Sequence, residues 1–385
     1  MATIRKRGES YQIRVSCGYT SNGKQRVRTK TWKPKPNMSQ RQIDRELQRV
    51  TFKFEDECLD GFTASATKFS DFMQRWKEEY AEPNLKPTTL DAQGRMAVRV
   101  NEEIGHLYLD KIKRRTIQEL IQSLYKGNAK YKPLCPKTIK NYISFVSSIM
   151  NYAVRLDMLP SNPCRNANIP RIQRQTRDMY TIEEAQKFLD RLTEKAPLVY
   201  QCYFILMIYS GFRRGEICGL TWHDIDFKNR IVTVNKALYH TSIKGTALET
   251  PKSVTSNRSL RLAEEVFTYL KRLQEFYEQE SVRLGTKWQE NDFVFKNTFG
   301  GVMSPLTPRD WLIRFCKQEG LRYVTPHSFR HLCASVMIES GASVKTVQAC
   351  LGHSDANTTL NIYAHAFSKA QAMASDAVAS SFKLR

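Results

Sequence analysis

The spacing of hydrophobic and polar positions changes character along the chain. Near the N-terminus the period is two. Tyr11, Ile13 and Val15 take one parity, Gln12 and Arg14 the other, and further on Arg26, Arg28 and Lys30 share one parity. Period two predicts half-buried strands, and Thr20-Ser-Asn-Gly23 between these stretches is a hairpin signal. Ser39 then stands as an N-cap before Ile43, Leu47, Val50 and Phe54, which fall on one helical face. About three strands and one helix are expected in residues 1–62. From 67 to 166 the period is helical: Phe69, Phe72, Met73 and Trp76 form one stripe, Ile117, Leu120, Ile121 and Leu124 another, and Ile139, Tyr142, Ile143, Val146, Ile149 and Ala153 a third. Residues 167–178, basic and poor in large apolar side chains, read as a linker. From 179 to 385 the pattern is mostly helical, with Thr181 as an N-cap, a buried helix over Val199–Tyr209, and strands at Ile231–Val234 and Ser259–Leu262. The chain therefore reads as multidomain α+β: a small three-stranded sheet with a helix, an all-α domain, and a mainly α domain with a small antiparallel sheet.

Charge sharpens the picture. The 385 residues hold 60 Lys and Arg against 38 Asp and Glu, a net charge of +22. Such a surplus calls for a polyanion, nucleic acid first. Between Met1 and Pro36 stand ten basic residues and one acid, Glu9. Arg14, Arg26, Arg28 and Lys30 on a ribbon of strands would suit a DNA groove. In the helical block, Lys130 and Lys132 lie in a basic loop, and Lys137 and Lys140 open the following helix. A phosphate seat and a plain solvated charge run both fit that pattern. No apolar run reaches a membrane span and none follows the basic first residues, so neither a membrane anchor nor a secretory signal is expected. The nine scattered cysteines, none at CxxC spacing, read as free thiols of a cytoplasmic protein.

The chemistry concentrates in the last block. Arg213 lies just beyond the buried helix with Glu216 three residues on. Pro251-Lys252-Ser253 puts a lysine on a hairpin between the two strands. Pro326-His327-Ser-Phe-Arg330-His331 sets an imidazole and a guanidinium on one helical face. Leu351-Gly-His353 and Asn361-Ile-Tyr363-Ala-His365 follow. Each piece alone is weak: an Arg-x-x-Glu is usually a surface ion pair, and a tyrosine on a late helix is usually core. Together they form an inventory for phosphoryl transfer. Two arginines can grip non-bridging oxygens in forked geometry. A tyrosine hydroxyl can attack phosphorus, a lysine can protonate the departing oxygen, and histidines can serve the phosphoryl oxygens. Neither a metal nor a cofactor is needed for that set.

This order of motifs resembles the tyrosine recombinases, the phage integrase family, and the run from Leu351 to His365 is close to the family's signature. The resemblance covers the whole chain. It implies an arm-site-binding domain over 1–62, a core-binding domain over 67–166 and a catalytic domain over 179–385, as in integrases of temperate phages and conjugative transposons. It implies Arg213 and Arg330 as the clamp on the scissile phosphate, His327 and His353 as further phosphate-contacting positions, and Lys252 as general acid, with Lys244 nearby as the alternative. Tyr363 is then the nucleophile and Glu216 the acid that supports Arg213. His331 matches a position often filled by His that is no core catalytic member. The expected partners are double-stranded DNA at core-type and arm-type sites, other copies of the chain in a tetramer on DNA, and an accessory excisionase. A type IB topoisomerase-like enzyme and a non-catalytic DNA-binding regulator are the competing readings; the extra N-terminal domains speak against the first and the complete residue set against the second. A small-residue stripe after the nucleophile (Ala370, Met373, Ala374, Ala377, Val378, Ser381) predicts a short helix that needs a groove, on its own domain or a neighbour's.

Overall fold

The computed structural model describes residues 2–19, 25–36, 38–59, 67–171, 179–249 and 257–352, apart from the side chains of 17–19, 25–26 and 56–59. The chain divides into two compact units, Met1–Arg174 and Gln175–Arg385.

The first unit opens on an antiparallel sheet in the order β1 (Ala2–Arg7), β2 (Ser10–Tyr19), β3 (Gln25–Trp32), followed by α1 (Gln40–Leu59). A reciprocal cap starts the helix: the Ser39 N–H donates to Gln42 Oε1 at 2.9 Å and the Gln42 N–H to Ser39 Oγ at 3.4 Å. Tyr11, Ile13 and Val15 are buried with Leu47 and Phe54 of α1, as the two periodicities require.

The strand register corrects one expectation. Ile13 pairs with Lys30 and Val15 with Arg28. Directly opposed residues of an antiparallel pair share a face, so Arg28 and Lys30 lie on the face that α1 covers, and Lys30 Nζ sits 5.2 Å from the Phe54 ring centroid. The opposite face carries Arg14, paired with Thr3 and Thr29, and Arg5, paired with Gln12. The parity of Arg28 and Lys30 is thus the core parity and does not make an uncovered basic face. The side chain of Arg26 lies outside the described residues.

A helical bundle follows: α2 (Phe69–Trp76) running through a π turn (Lys77–Ala81) into α3 (Glu82–Asn84), then α4 (Pro87–Ile104), α5 (Arg114–Lys126) and α6 (Pro136–Arg155). Its core holds the residues of all three stripes, with Phe69, Ile117 and Ile139 fully buried. Helix α4 stood out less in the sequence because its buried face includes Arg99, which donates to the Ser123 carbonyl at 3.0 Å and stacks over Tyr131. Ala167 and Ile169 also pack on this core, and Asn168 exchanges two hydrogen bonds with Gln118. The stretch expected as linker therefore begins as part of the bundle.

In the second unit, α7 (Ile182–Lys195) starts on a capping box between Thr181 and Glu184. Helix α8 (Leu198–Ser210) is apolar nearly all round and runs through the core. After α9 (Arg214–Cys218) come β4 (Ile225–Asp226), β5 (Ile231–Val234) and β8 (Arg258–Arg261), an antiparallel sheet in that order. Strand β5 pairs with β8, Val232 opposite Leu260, close to the expected pairing. Between them, where a lysine-bearing hairpin was expected, lie two further strands, β6 (Ala237–Thr241) and β7 (Gly245–Glu249), with the exposed Lys244 in their turn. Helices α10 (Glu264–Leu284), α11 (Thr307–Gln318), α12 (Pro326–Glu339) and α13 (Val344–Leu351) complete the unit. An aromatic cluster seats α12: Phe329 packs on Phe188 at 5.0 Å, on Tyr180 at 5.6 Å and on Phe204 at 5.7 Å. Among the described residues no helix is long and apolar enough to cross a membrane.

Candidate active site

The ends of four helices and one strand converge. Helix α8 stops at Gly211, whose φ of +63° suits glycine; a Cβ there would stand 2.5 Å from Leu351 Cδ2. The chain turns through fully buried Phe212 and places Arg213 at the N-cap of α9. Glu216, three residues on, reaches back to the Arg213 N–H at 2.8 Å and to its Nη1 at 2.6 Å. The sequence spacing Arg-x-x-Glu is here a helix-cap geometry.

Helix α12 supplies the second arginine. His327 lies exposed in its first turn, and Arg330, one turn on, is only 1% exposed. The His327 and His331 rings meet edge to face at 4.6 Å. Arg330 Nη1 donates to the Gly211 carbonyl at 2.7 Å and Nη2 to the Leu351 carbonyl at 2.6 Å. Its buried Nε has no hydrogen-bond partner among the described residues. Burial first, and then the nearby Arg213 charge, push the guanidinium down to about 9. An anion arriving at this point would relieve both.

The end of α13 binds the pieces together. A helix leaves its last carbonyls unsatisfied at the negative end of its dipole. Here three consecutive ones each take a bond from a different arginine: Cys350 from Arg258 Nε at 2.8 Å, Leu351 from Arg330, and Gly352 from Arg213 Nη2 at 2.6 Å. Arg258, at the start of β8, also grips Glu216, with Nη2 2.6 Å from Oε2 and Nη1 3.2 Å from Oε1. Burial raises the Glu216 pKa, but the Arg258 hydrogen bonds and charge, joined by Arg213, outweigh it and hold the carboxyl below its ordinary value.

Of the residues expected in the site, Arg213, Glu216 and Arg330 are therefore brought together, with His327 one turn before Arg330. Lys252, His353 and Tyr363 lie outside the described residues, as does the small-residue stripe after Tyr363. Sequence reasoning assigned no role to Arg258. The available signal was a cation sharing the inward parity of a short strand with Leu260, where an unpaired charge is rare. Elsewhere, Lys130 is engaged by Glu102 at 2.6 Å, beside the Tyr131 ring, while Lys132, Lys137 and Lys140 are exposed. Among the described residues no three His, Cys, Asp or Glu side chains gather as a metal site requires.

Known proteins share this arrangement of elements. The model described as phage integrase family matches residues 179–370, and the phage integrase N-terminal SAM-like domain matches 68–125. The ICEBs1 integrase of Bacillus subtilis is 25% identical across 94% of both chains. The transposase from transposon Tn916 of Enterococcus faecalis is 28% identical across 71% of each. Among solved structures, the Tn1549 transposon integrase bound to transposon right end DNA superposes with a TM-score of 0.69 at 22% identity, covering 81% of this chain and all of that one. A lambda integrase tetramer bound to a Holliday junction gives 0.58 at 16% identity, covering 93% of this chain and 94% of that one.

Proposed function

The chain belongs to the phage integrase family of tyrosine recombinases, and from that premise we propose that it integrates and excises a mobile element by cutting and rejoining DNA at defined sites. The observation that carries this reading is a surplus of clustered cation, two of its three guanidiniums buried. Arg213 and Arg258 share one carboxylate, Glu216, while the buried Arg330 beside them is met only by two backbone carbonyls. Such a cluster is short of negative charge, which a phosphodiester supplies.

In this mechanism Arg213 and Arg330 hold the non-bridging oxygens of the scissile phosphate, and His327 and His353 donate to the same group. The Tyr363 hydroxyl attacks phosphorus and passes its proton to water. The bond to the 5′ oxygen breaks, Lys252 protonates that oxygen, and the 3′ phosphate remains linked to the tyrosine. Attack by the 5′ hydroxyl of a second strand reverses the step, releases Tyr363 and forms a Holliday junction. Bond energy is conserved throughout, so neither ATP nor a metal is called for.

The first unit would supply DNA sites. The uncovered face of the N-terminal sheet, with Arg5 and Arg14, suits an arm-type duplex. In the bundle, α5 and α6 open on cations with no acid in the first turn. Cations at the positive end of a helix dipole cost stability, and an adjacent phosphate offsets that cost. Assembly as a tetramer on core-type sites, with an excisionase setting direction, completes the reading. Its test is covalent capture. The wild-type chain, incubated in EDTA with a pool of nicked, randomised duplexes, should retain DNA through denaturing electrophoresis, and Tyr363→Phe should retain none. Failure of the wild type to capture any duplex, or an equal yield from Tyr363→Phe, refutes it.

A further inference from the structure

Arg258 occupies a position that the clamp itself does not explain. Like Arg213 itself, it touches both the carboxylate orienting Arg213 and the end of α13, but from the opposite side and from a strand that is no part of the clamp. Through Nη1 and Nη2 it spans both Glu216 oxygens, and through Nε it holds the Cys350 carbonyl. Its guanidinium lies 5.0 Å from the Phe212 ring centroid, on the residue that precedes Arg213. Its side chain is 6% exposed, so it does not meet solvent as a surface charge would. The structure is also shaped to admit it. Gly352 adopts φ +65°, and a Cβ there would stand 2.8 Å from Arg258 Nη1.

We propose that Arg258 is a positioning residue for strand cleavage, locking Glu216, and through it Arg213, to the end of α13 from which the chain runs directly on to His353. The inference rests on the reading of Arg213 and Arg330 as the phosphate clamp. The guanidinium fork is what the position requires. Three donors in one plane reach two carboxylate oxygens and a carbonyl at once, which a lysine ammonium on a flexible stem cannot do. With the fork gone, Glu216 is held from one side only. The half-exposed Arg213 then gains freedom to turn, and the α13 terminus loses one of its three ties. Misplacement of a clamp by about 1 Å costs on the order of 100-fold in rate.

The test uses the full chain and a nicked duplex selected by covalent capture on the wild-type protein. Arg258→Met should lower the single-turnover rate of covalent attachment by roughly 100-fold, while affinity for the duplex stays within about 3-fold. Arg258→Lys, which keeps a cation opposite Glu216 and so protects folding, should lose about 10-fold. A second substrate carries a methylphosphonate at the scissile position, which removes one charged oxygen from the clamp's grip. On it the wild type and Arg258→Lys should differ by less than about 3-fold, because less clamp charge remains to be aimed. Cleavage by Arg258→Lys at the wild-type rate overturns the proposal. So does an equal loss on both substrates, which marks a purely structural role. No capture by the wild-type chain is a different result: it refutes the recombinase reading itself.

Discussion

Replacing Glu216 by Gln removes one charge while keeping size and shape, and the geometry sets the cost. The carboxylate accepts four hydrogen bonds: Arg213 N at 2.8 Å and Arg258 Nη2 at 2.6 Å on Oε2, Arg213 Nη1 at 2.6 Å and Arg258 Nη1 at 3.2 Å on Oε1. Glutamine keeps one acceptor oxygen. Whichever way the amide turns, its NH2 faces two donors and two bonds are lost. Bonds to charged groups contribute about 1.5–3 kcal/mol each, and one-sided removal of a buried partner costs about 3–5 kcal/mol. The Arg213 side chain, 40% exposed, can turn to water, whereas Arg258 cannot. The expected loss is therefore near the lower end, about 3 kcal/mol. Hydrogen exchange followed by mass spectrometry on the full chain reads it locally. Amides of α9 and α12 should exchange roughly 100-fold faster, the equivalent of that loss. Glu102→Gln, which breaks the exposed pair with Lys130, should leave exchange in its own helix almost unchanged. A double-mutant cycle of Glu216→Gln with Arg258→Met should show coupling above about 1.5 kcal/mol. Additivity within about 0.5 kcal/mol would refute the argument, since residues that share no interaction add.

Three further outcomes follow from the same structure. Because the Glu216 pKa in the folded chain lies below the ordinary 4.5, its stabilisation is complete above that value and is lost as pH falls through the lower folded value; the Glu216→Gln penalty should be full near neutrality and shrink in acid, which melting curves across pH would show. Gly211→Ala puts a methyl 2.5 Å from Leu351 Cδ2 at φ +63°, and should destabilise the second unit by about 1–3 kcal/mol in urea unfolding; a neutral result would mean that α13 gives way freely. Arg14→Ala should weaken binding to an arm-type duplex and reduce the slope of log affinity against log salt by about 1, while Lys30→Ala should leave the slope alone; equal changes from both would restore the helix-side face as the DNA face.

The chain was legible where one residue type does one job. The caps at Thr181 and Ser39, the buried α8 and the β5–β8 pairing all follow from local pattern, because each is decided within one or two elements. The pairing of Arg213 with Glu216 was readable as a spacing. What was not readable is that α13 ends against both arginines. That contact joins residues far apart in sequence, and it depends on Gly211 and Gly352 leaving room rather than on any side chain that signals chemistry. Arg258 stayed without a role for the same reason: its partners are a carboxylate on another element and a carbonyl, and a carbonyl has no sequence signature. The strands β6 and β7 were not read within the expected hairpin region because they alternate weakly, with Leu248 exposed and Thr241 buried.

The N-terminal sheet shows how a correct period leads to the wrong face. Alternation fixed that Arg26, Arg28 and Lys30 share a side, but parity within one strand says nothing about which side the neighbour's apolar residues take. That is settled by register, and register here matches Lys30 with Ile13 and Arg28 with Val15. Lys30 then lies against α1, its ammonium over the Phe54 ring. A slip of one residue would have exposed Arg28 and Lys30 and buried Thr29 and Thr31. The cost of that slip is the burial of Trp32 against Tyr11, whose rings stand 5.9 Å apart in the observed register. The aromatic pair at the end of the ribbon thus decides which cations face outward, and with them which surface a duplex would meet.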